Sequence, residues 1–229
     1  MSGELIFFQP YRSTLNNSTI NQKKKRRMKM RLNITKTLLT LAMMGAPALA
    51  DATQWNIDAD HSNVGFSVSH LMVSHVKGNF NKYSGVVDIN DKDITKSSVN
   101  VTIDAASINT NVQKRDEHLR SADFFDAAKY PTLTFVSKKW TQAGKGALKV
   151  TGDLTIHGVT KSVVLSVAPF SRESKDPWGN MRRGTSASTT INRKDYGLVW
   201  NQALETGGVA VGEDVNISLD VEMVKAKIK

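Results

Sequence analysis

From Val64 onward the chain alternates apolar and polar residues with period two, the pattern of strands that turn one face to water. Val64, Phe66 and Val68 stand against Gly65, Ser67 and Ser69; Val87 and Ile89 follow Gly85; Val99, Val101 and Ile103 enclose Asn100 and Thr102. Leu133 and Phe135 sit among Thr132, Thr134 and Val136. Leu148, Val150, Leu154 and Ile156 keep one parity across Gly152, and Val163, Leu165 and Val167 repeat it. The longest stripe is Val215, Ile217, Leu219, Val221 and Met223. With the Ser/Thr-rich stretch from Gly184 to Ile191, about eight strands are predicted. The breaks at Asn90 to Asp93, Gly144 to Gly146 and Pro177 to Gly179 are too short for parallel crossovers, so the strands run antiparallel. One segment departs from the alternation. Asn111 to Lys129 is rich in helix formers and stops before Tyr130-Pro131, where the pre-proline residue disfavours helix, so a helix or two short turns are expected there. A single helical excursion cannot cover both faces of a sheet, so the strands bury their stripes face to face or by curling closed. The fold expected is all-β, an eight-stranded antiparallel barrel with one helical segment near residues 111–129. Such a barrel is either filled by side chains or holds one small ligand, and alternation alone does not say which.

Composition narrows the function. The 229 residues are 40% hydrophobic and 23% charged with no cysteine, which excludes collagen-like, mucin-like and disulfide-stapled chains. The net charge of +10 belongs to the N-terminal end: residues 1–50 hold nine Lys or Arg and one acid, leaving 22 basic and 20 acidic residues beyond. A near-neutral body offers no broad footprint for a phosphate backbone, so nucleic acid is not expected as a partner. Met28 to Lys36 is short and positive, an apolar run follows to Ala46, and small residues stand at Ala48 and Ala50. This is the grammar of a secretory signal peptide over residues 28–50, with cleavage expected after Ala50 or, second, after Ala52. The run is too short to span a hydrocarbon core, which needs about 20 residues, so no stable membrane anchor is expected. Residues 1–27, with the basic run Lys23 to Arg27, fit neither leader nor fold. They read as an upstream extension ahead of an initiator at Met28 or Met30. A nucleic-acid-binding basic patch is the alternative, but its place directly before an export signal argues against it. The mature chain, 51–229, is one domain's worth and expected in the periplasm, with secretion as the second choice.

Candidate chemistry is sparse. Without cysteine there are no thiol nucleophiles, zinc ribbons or iron–sulfur ligands. His70 and His75 are five apart, off the helical spacing of a zinc protease and without its glutamate, so no metal is expected. Asp60, His61 and Ser62 are sequence neighbours and cannot form a triad on a strand. Gly152 to Gly158 lacks both the spacing and the lysine of a phosphate loop. Arg115 to Arg120 brings charge beside Phe124-Phe125. It reads either as a solvated face with two aromatics in the core, or as a lid whose Arg115, His118 or Arg120 meets an anionic head group. Asn192 to Gly197 reads as a charged turn between strands.

The order of short motifs is distinctive. Asp60-His61-Ser62 leads into Val64, Phe66 and Val68; Val76, Gly78 and Phe80 follow, then Tyr83 and Gly85, Arg115-Asp116 with His118-Leu119, and Phe124-Phe125-Asp126. Tyr130-Pro131 comes next, then Gly152, Leu154 and Ile156 before Gly158-Val159-Thr160-Lys161, and finally Arg193 with Asp195-Tyr196-Gly197. Over nearly all of Thr53 to Met223 this resembles the YceI family of periplasmic lipid-binding proteins. The resemblance implies an extended lipocalin-like barrel holding a polyisoprenoid or similar long-chain lipid, including isoprenoid quinones, their precursors or fatty acids. It implies no metal, no cofactor and no catalysis, and a homodimer among its members. The residues support the same class physically: ten buried methylenes at about 0.8 kcal/mol each give a gross gain near 8 kcal/mol, comparable to micromolar binding before association costs. Such a guest needs few polar contacts. The residues expected at the ligand are Phe66, Val68, Leu71, Phe80, Val101, Phe124, Phe125, Leu133, Phe135, Ile156 and Leu165, with Arg115 and His118 near the mouth. Two other classes remain: a barrel enzyme acting on a lipid-like substrate with His61 or His118 as acid or base, and a stress-response interaction module with a solid core.

Overall fold

The computed structural model describes residues 52–205 and 207–227; the expected upstream extension, the leader and the residues before its cleavage point lie outside them. The strands are β1 (Ala52–Ile57), β2 (Asn63–His70), β3 (Ser74–Phe80), β4 (Tyr83–Asn90), β5 (Ser98–Asp104) and β6 (Ile108–Asn109). After one helix, α1 (Gln113–Arg120), come β7 (Thr132–Gly144), β8 (Ala147–Ile156), β9 (Val159–Val167), β10 (Ser174–Lys175), β11 (Met181–Asn192) and β12 (Val211–Lys225). Pairing is antiparallel throughout these strands.

Register reduces these strands to eight staves. Ala52 of β1 lies opposite Asn90 of β4, and His70 of β2 opposite Ser74 of β3. β1 and β2 are therefore one stave broken by the 3-10 turn Ala59–His61, and β3 and β4 run on as a second. β5 and β6 make a third, since both face that second stave. β7, β8, β9, β11 and β12 complete the count, with β10 as a short addition beside β11. β12 closes the cylinder: β11 pairs along one edge, and β1 and β2 share the other. The eight-stranded antiparallel barrel expected from alternation is the fold.

Local chemistry explains what alternation did not show. In β3 the inward row is Val76, Gly78 and Phe80, and the glycine interrupts the stripe. Gly78 is needed because the Phe66 ring lies across it, where a Cβ would come within 2.5 Å of that ring. In β7 the inward parity changes from Leu133 and Phe135 to Trp140. A bulge between Ser137 and Lys139 adds one residue and turns the indole into the barrel. The β8–β9 hairpin turns on His157 and Gly158, both with positive φ, as a two-residue hairpin loop demands.

The segment expected as helix or turns over 111–129 is both. α1 ends at Arg120, and the chain then winds through turns in which the amides of Phe124 and Asp126 both donate to Ser121 O and that of Tyr130 to Asp126 O. These turns aim Phe124 into the barrel. α1 is tied to the strands by Arg115, which donates to Thr110 Oγ1 and O, and by Arg120, which donates to Ala106 O and Ile108 O. Buried Asp116 accepts from the amide and hydroxyl of Thr110.

The seam between β9 and β11 is short, only Val167 with Ala187 and Ser166 with Ser188. Beyond it the 3-10 turn Arg193–Tyr196 packs against β9, with Tyr196 buried. The turn is held by Arg193, 5% exposed, whose guanidinium donates to the carbonyls of Leu198, Trp200, Val211 and Gly212. Removing it strands several buried acceptors, each worth about 1–3 kcal/mol. Arg193→Ala is expected to lower stability by about 3 kcal/mol or more, read as a lower urea midpoint with unchanged slope.

Candidate functional site

The barrel interior is not uniformly filled. On β8 the inward Leu148, Val150, Leu154 and Ile156 are all buried. On β12 the inward Val215, Ile217, Leu219 and Val221 alternate with exposed Asn216, Ser218 and Asp220, yet remain only half-buried. Their remaining exposure is to an internal cavity of about 250 Å³, whose surface is almost wholly carbon. The cause lies next door on β11. Its inward residues there are Thr185, Ala187 and Thr189, too small to reach across, and Thr185 turns its hydroxyl away to Ala168 O at 2.8 Å. An apolar cavity of about 150 Å³ already stays dry and accepts a benzene-sized guest. This one is larger and elongated along β12.

One end of the cavity is stopped by aromatic rings. Phe80 lies 6.0 Å from Phe66 and 5.8 Å, edge-on, from Phe125. Phe124 stands 5.3 Å from Trp200, and His118 of α1 packs edge-on against both. Tyr196 also lines this space; burial, and secondarily the Asp195 charge, push its hydroxyl up to about 12, so it stays protonated. The opposite end carries charge. Arg182 donates to Asp176 at 2.8 Å and to Asp58 and Glu222, each at 2.5 Å, while His61 meets Asp58 at 2.9 Å. Burial alone would raise the Asp58 carboxyl, but hydrogen bonds from Arg182 and His61 outweigh it and hold the group below its ordinary range. Asp58, His61 and Glu222 are close enough to ligate one metal ion, but the guanidinium already bridges the two carboxylates.

Of the residues expected at the ligand, Phe66, Val68, Phe80, Val101, Phe124 and Phe125 line the cavity, as do Leu133, Phe135, Ile156 and Leu165. Three stand elsewhere. Leu71 is at the β2–β3 turn and 40% exposed. Arg115 is spent on Thr110, and His118 Nε2 pairs with Asp123 at 2.9 Å. His61 likewise lies outside the lining, in the Asp58 cluster. The sequence reading passed over Thr185, Ala187 and Thr189. Their shared parity with Ile191 marked them as inward, and their size marked where space would remain.

A sequence profile described as the YceI-like domain matches residues 55–223, most of the chain and nearly all of the barrel. The chain belongs to the YceI family. A UPF0312 protein of Vibrio cholerae is 42% identical over 168 residues, covering 71% of this chain and 88% of that relative. The crystal structure of Burkholderia cenocepacia BcnA superposes with a TM-score of 0.64 at 25% identity, over 72% of this chain and 98% of that one. A polyisoprenoid binding domain from Saccharophagus degradans, 19% identical, shares the fold with a TM-score of 0.55 over 75% of this chain and 98% of its own.

Two outcomes test this geometry in the YceI barrel. Ala187→Phe should fill the cavity and reduce uptake of a fluorescent apolar probe at least about ten-fold while shifting stability by about 1 kcal/mol or less, since the ring enters existing space. Ser188→Phe, pointing outward, should leave uptake unchanged. For Asp58, a lowered carboxyl stabilises the fold above its ordinary value near 3.8, and that contribution is lost as pH falls through the folded value. Urea midpoints measured from pH 6 down to about 3 should therefore fall more steeply for wild type than for Asp58→Asn.

Proposed function

We propose that this YceI barrel is a binding protein, not an enzyme, which holds the hydrocarbon chain of a long-chain lipid in the cavity along β12. The observation that carries the reading is the lining: a cavity bounded by carbon from β2, β9, β11 and β12, with Thr185 turned away. Apolar contact stabilises a saturated or isoprenoid chain there at about 25 cal/mol per Å² removed from water, whereas a polar substrate would lose its hydration without compensation. The likeness in fold to a polyisoprenoid binding domain supports a polyisoprenoid as the guest, and the apolar lining takes the chain of an isoprenoid quinone precursor or a fatty acid on the same terms. Neither His61 nor His118 lines the cavity, so neither is placed to act on a chain inside it. The expected leader at residues 28–50 supports a periplasmic carrier that takes its lipid after export.

The test is extraction of the protein, purified from cells of the native host, with organic solvent followed by mass spectrometry. Long-chain lipid totalling close to one molecule per chain is expected from wild type and not from Ala187→Phe. Recovery of the same background lipids from both would overturn the carrier reading.

A further inference from the structure

Eight large apolar side chains stand exposed among the described residues; Val136 and Val164 lie singly on the outer faces of β7 and β9 and Trp178 beside Asp176, while the other five share one end of the barrel. Leu71, Met72 and Val73 form the turn between β2 and β3; Val112 immediately precedes α1; Val199 precedes Trp200, whose ring lies against His118 of α1. All five therefore gather at the aromatic end of the barrel. The cavity reaches this end as well, because Val68 and Val211 line it and Val211 pairs with His70, the residue before the turn.

The turn carries two penalties at once. Met72 is 69% and Val73 83% exposed, and Leu71 and Met72 have φ of 52° and 60°. Left-handed backbone suits Gly or Asn; for large apolar side chains it is strained. The amide of Val73 donates to His70 O across the turn, and a hairpin turn with two positive φ angles favours Asn-Gly. Strain and exposure at the same residues point to a task other than folding. The tip is nonetheless held in place: Leu71 N–H donates to Ala210 O, and Met72 Sδ lies where a Cβ on Gly208 would stand only 2.5 Å away.

We propose that the Leu71–Met72–Val73 tip inserts into the interfacial layer of a lipid bilayer, presenting the aromatic end of the barrel to the membrane from which its guest comes. The docking stands on the tip alone; the transfer of a guest rests on the carrier reading above. A bilayer fits better than a protein partner for reasons of area and shape. Three side chains on a convex turn cover on the order of a few hundred Å², well short of the roughly 1,200–2,000 Å² of a specific protein interface. They match the shallow insertion of apolar groups at the boundary between head groups and acyl chains. The polar residues beside the tip, Ser69, Ser74 and His75, would then lie at head-group level.

The experiment compares the full chain, wild type and variants side by side, for co-sedimentation with vesicles of phosphatidylcholine and phosphatidylglycerol in equal parts. The paired substitution Leu71→Asn with Met72→Gly should raise Tm by relieving the backbone. It should also lower vesicle binding at least about ten-fold and leave uptake of a soluble apolar probe unchanged. Met72→Ser with Val73→Ser should reduce vesicle binding without the gain in Tm. Vesicle binding unchanged in both variants would overturn the proposal. So would a fall in Tm on introducing Asn-Gly, because the native turn would then serve the fold, or a wild-type dimer that the variants abolish, because the tip would then be a contact between chains. Wild type that binds vesicles through the tip but takes up no probe would support the docking and reject the carrier reading.

Discussion

Eight staves enclose an interior that side chains can just fill, so the size of each inward residue decides whether any space survives. The structure settles that contest differently on its two sides. β7 and β8 send in Phe135, Trp140, Leu154 and Ile156, all buried against their neighbours. β11 sends in Thr185, Ala187 and Thr189, and the half-buried stripe of β12 beside them marks the volume that three larger residues would have taken. A cavity of this origin does not depend on a loop or a moving lid. It is fixed by side-chain volume on one strand, in a wall whose backbone groups are paired along most of its circumference.

The two ends of the barrel are finished by different physics. At one end Arg182 gathers Asp58, Asp176 and Glu222, joining the β1–β2 break to the start of β11 and the last part of β12 through charge-assisted hydrogen bonds. At the other, Arg193 is buried without a carboxylate contact and answers only backbone carbonyls, which pins the turn after β11 while Phe124, Phe125, Tyr196 and Trp200 close the space above it. The first end is held by a guanidinium among carboxylates; the second by packed rings and by hydrogen bonds to backbone carbonyls. That difference gives the barrel a direction, although its staves are equivalent in kind.

Alternation made the barrel legible because antiparallel strands with one wet face print their geometry on the chain. It worked best on β8, β9 and β12, where one parity holds along most of each strand. It missed β1 and β3, whose contribution is a continuation of longer staves. In β3 the inward position opposite Phe66 is a glycine, chosen for what it lets the ring do and not for its own hydrophobicity. It misread nothing in β7 before the bulge, but Trp140 lies beyond a register shift that leaves no mark in a hydropathy pattern. The cavity wall was partly legible for the same reason as the strands: Phe66, Phe80, Phe135 and Leu165 are inward by parity. What parity cannot report is distance across the interior. Leu71, three residues beyond Val68 and off the parity of that stripe, leaves the wall at the turn, and Arg115 and His118 are committed to Thr110 and Asp123 by folds of the chain that pattern alone does not encode.

A chamber walled in carbon has little chemical vocabulary. With almost no polar surface facing inward, it separates a quinone tail from a fatty chain little by functional group, and at about 0.8 kcal/mol per buried methylene one methylene more or less changes affinity about four-fold. Discrimination then falls to contour: how long, how stiff and how branched a tail the cavity admits. On the proposed carrier function, occupancy among guests of similar shape follows their abundance, and such a barrel is a generalist whose selectivity is written in outline more than in hydrogen bonds.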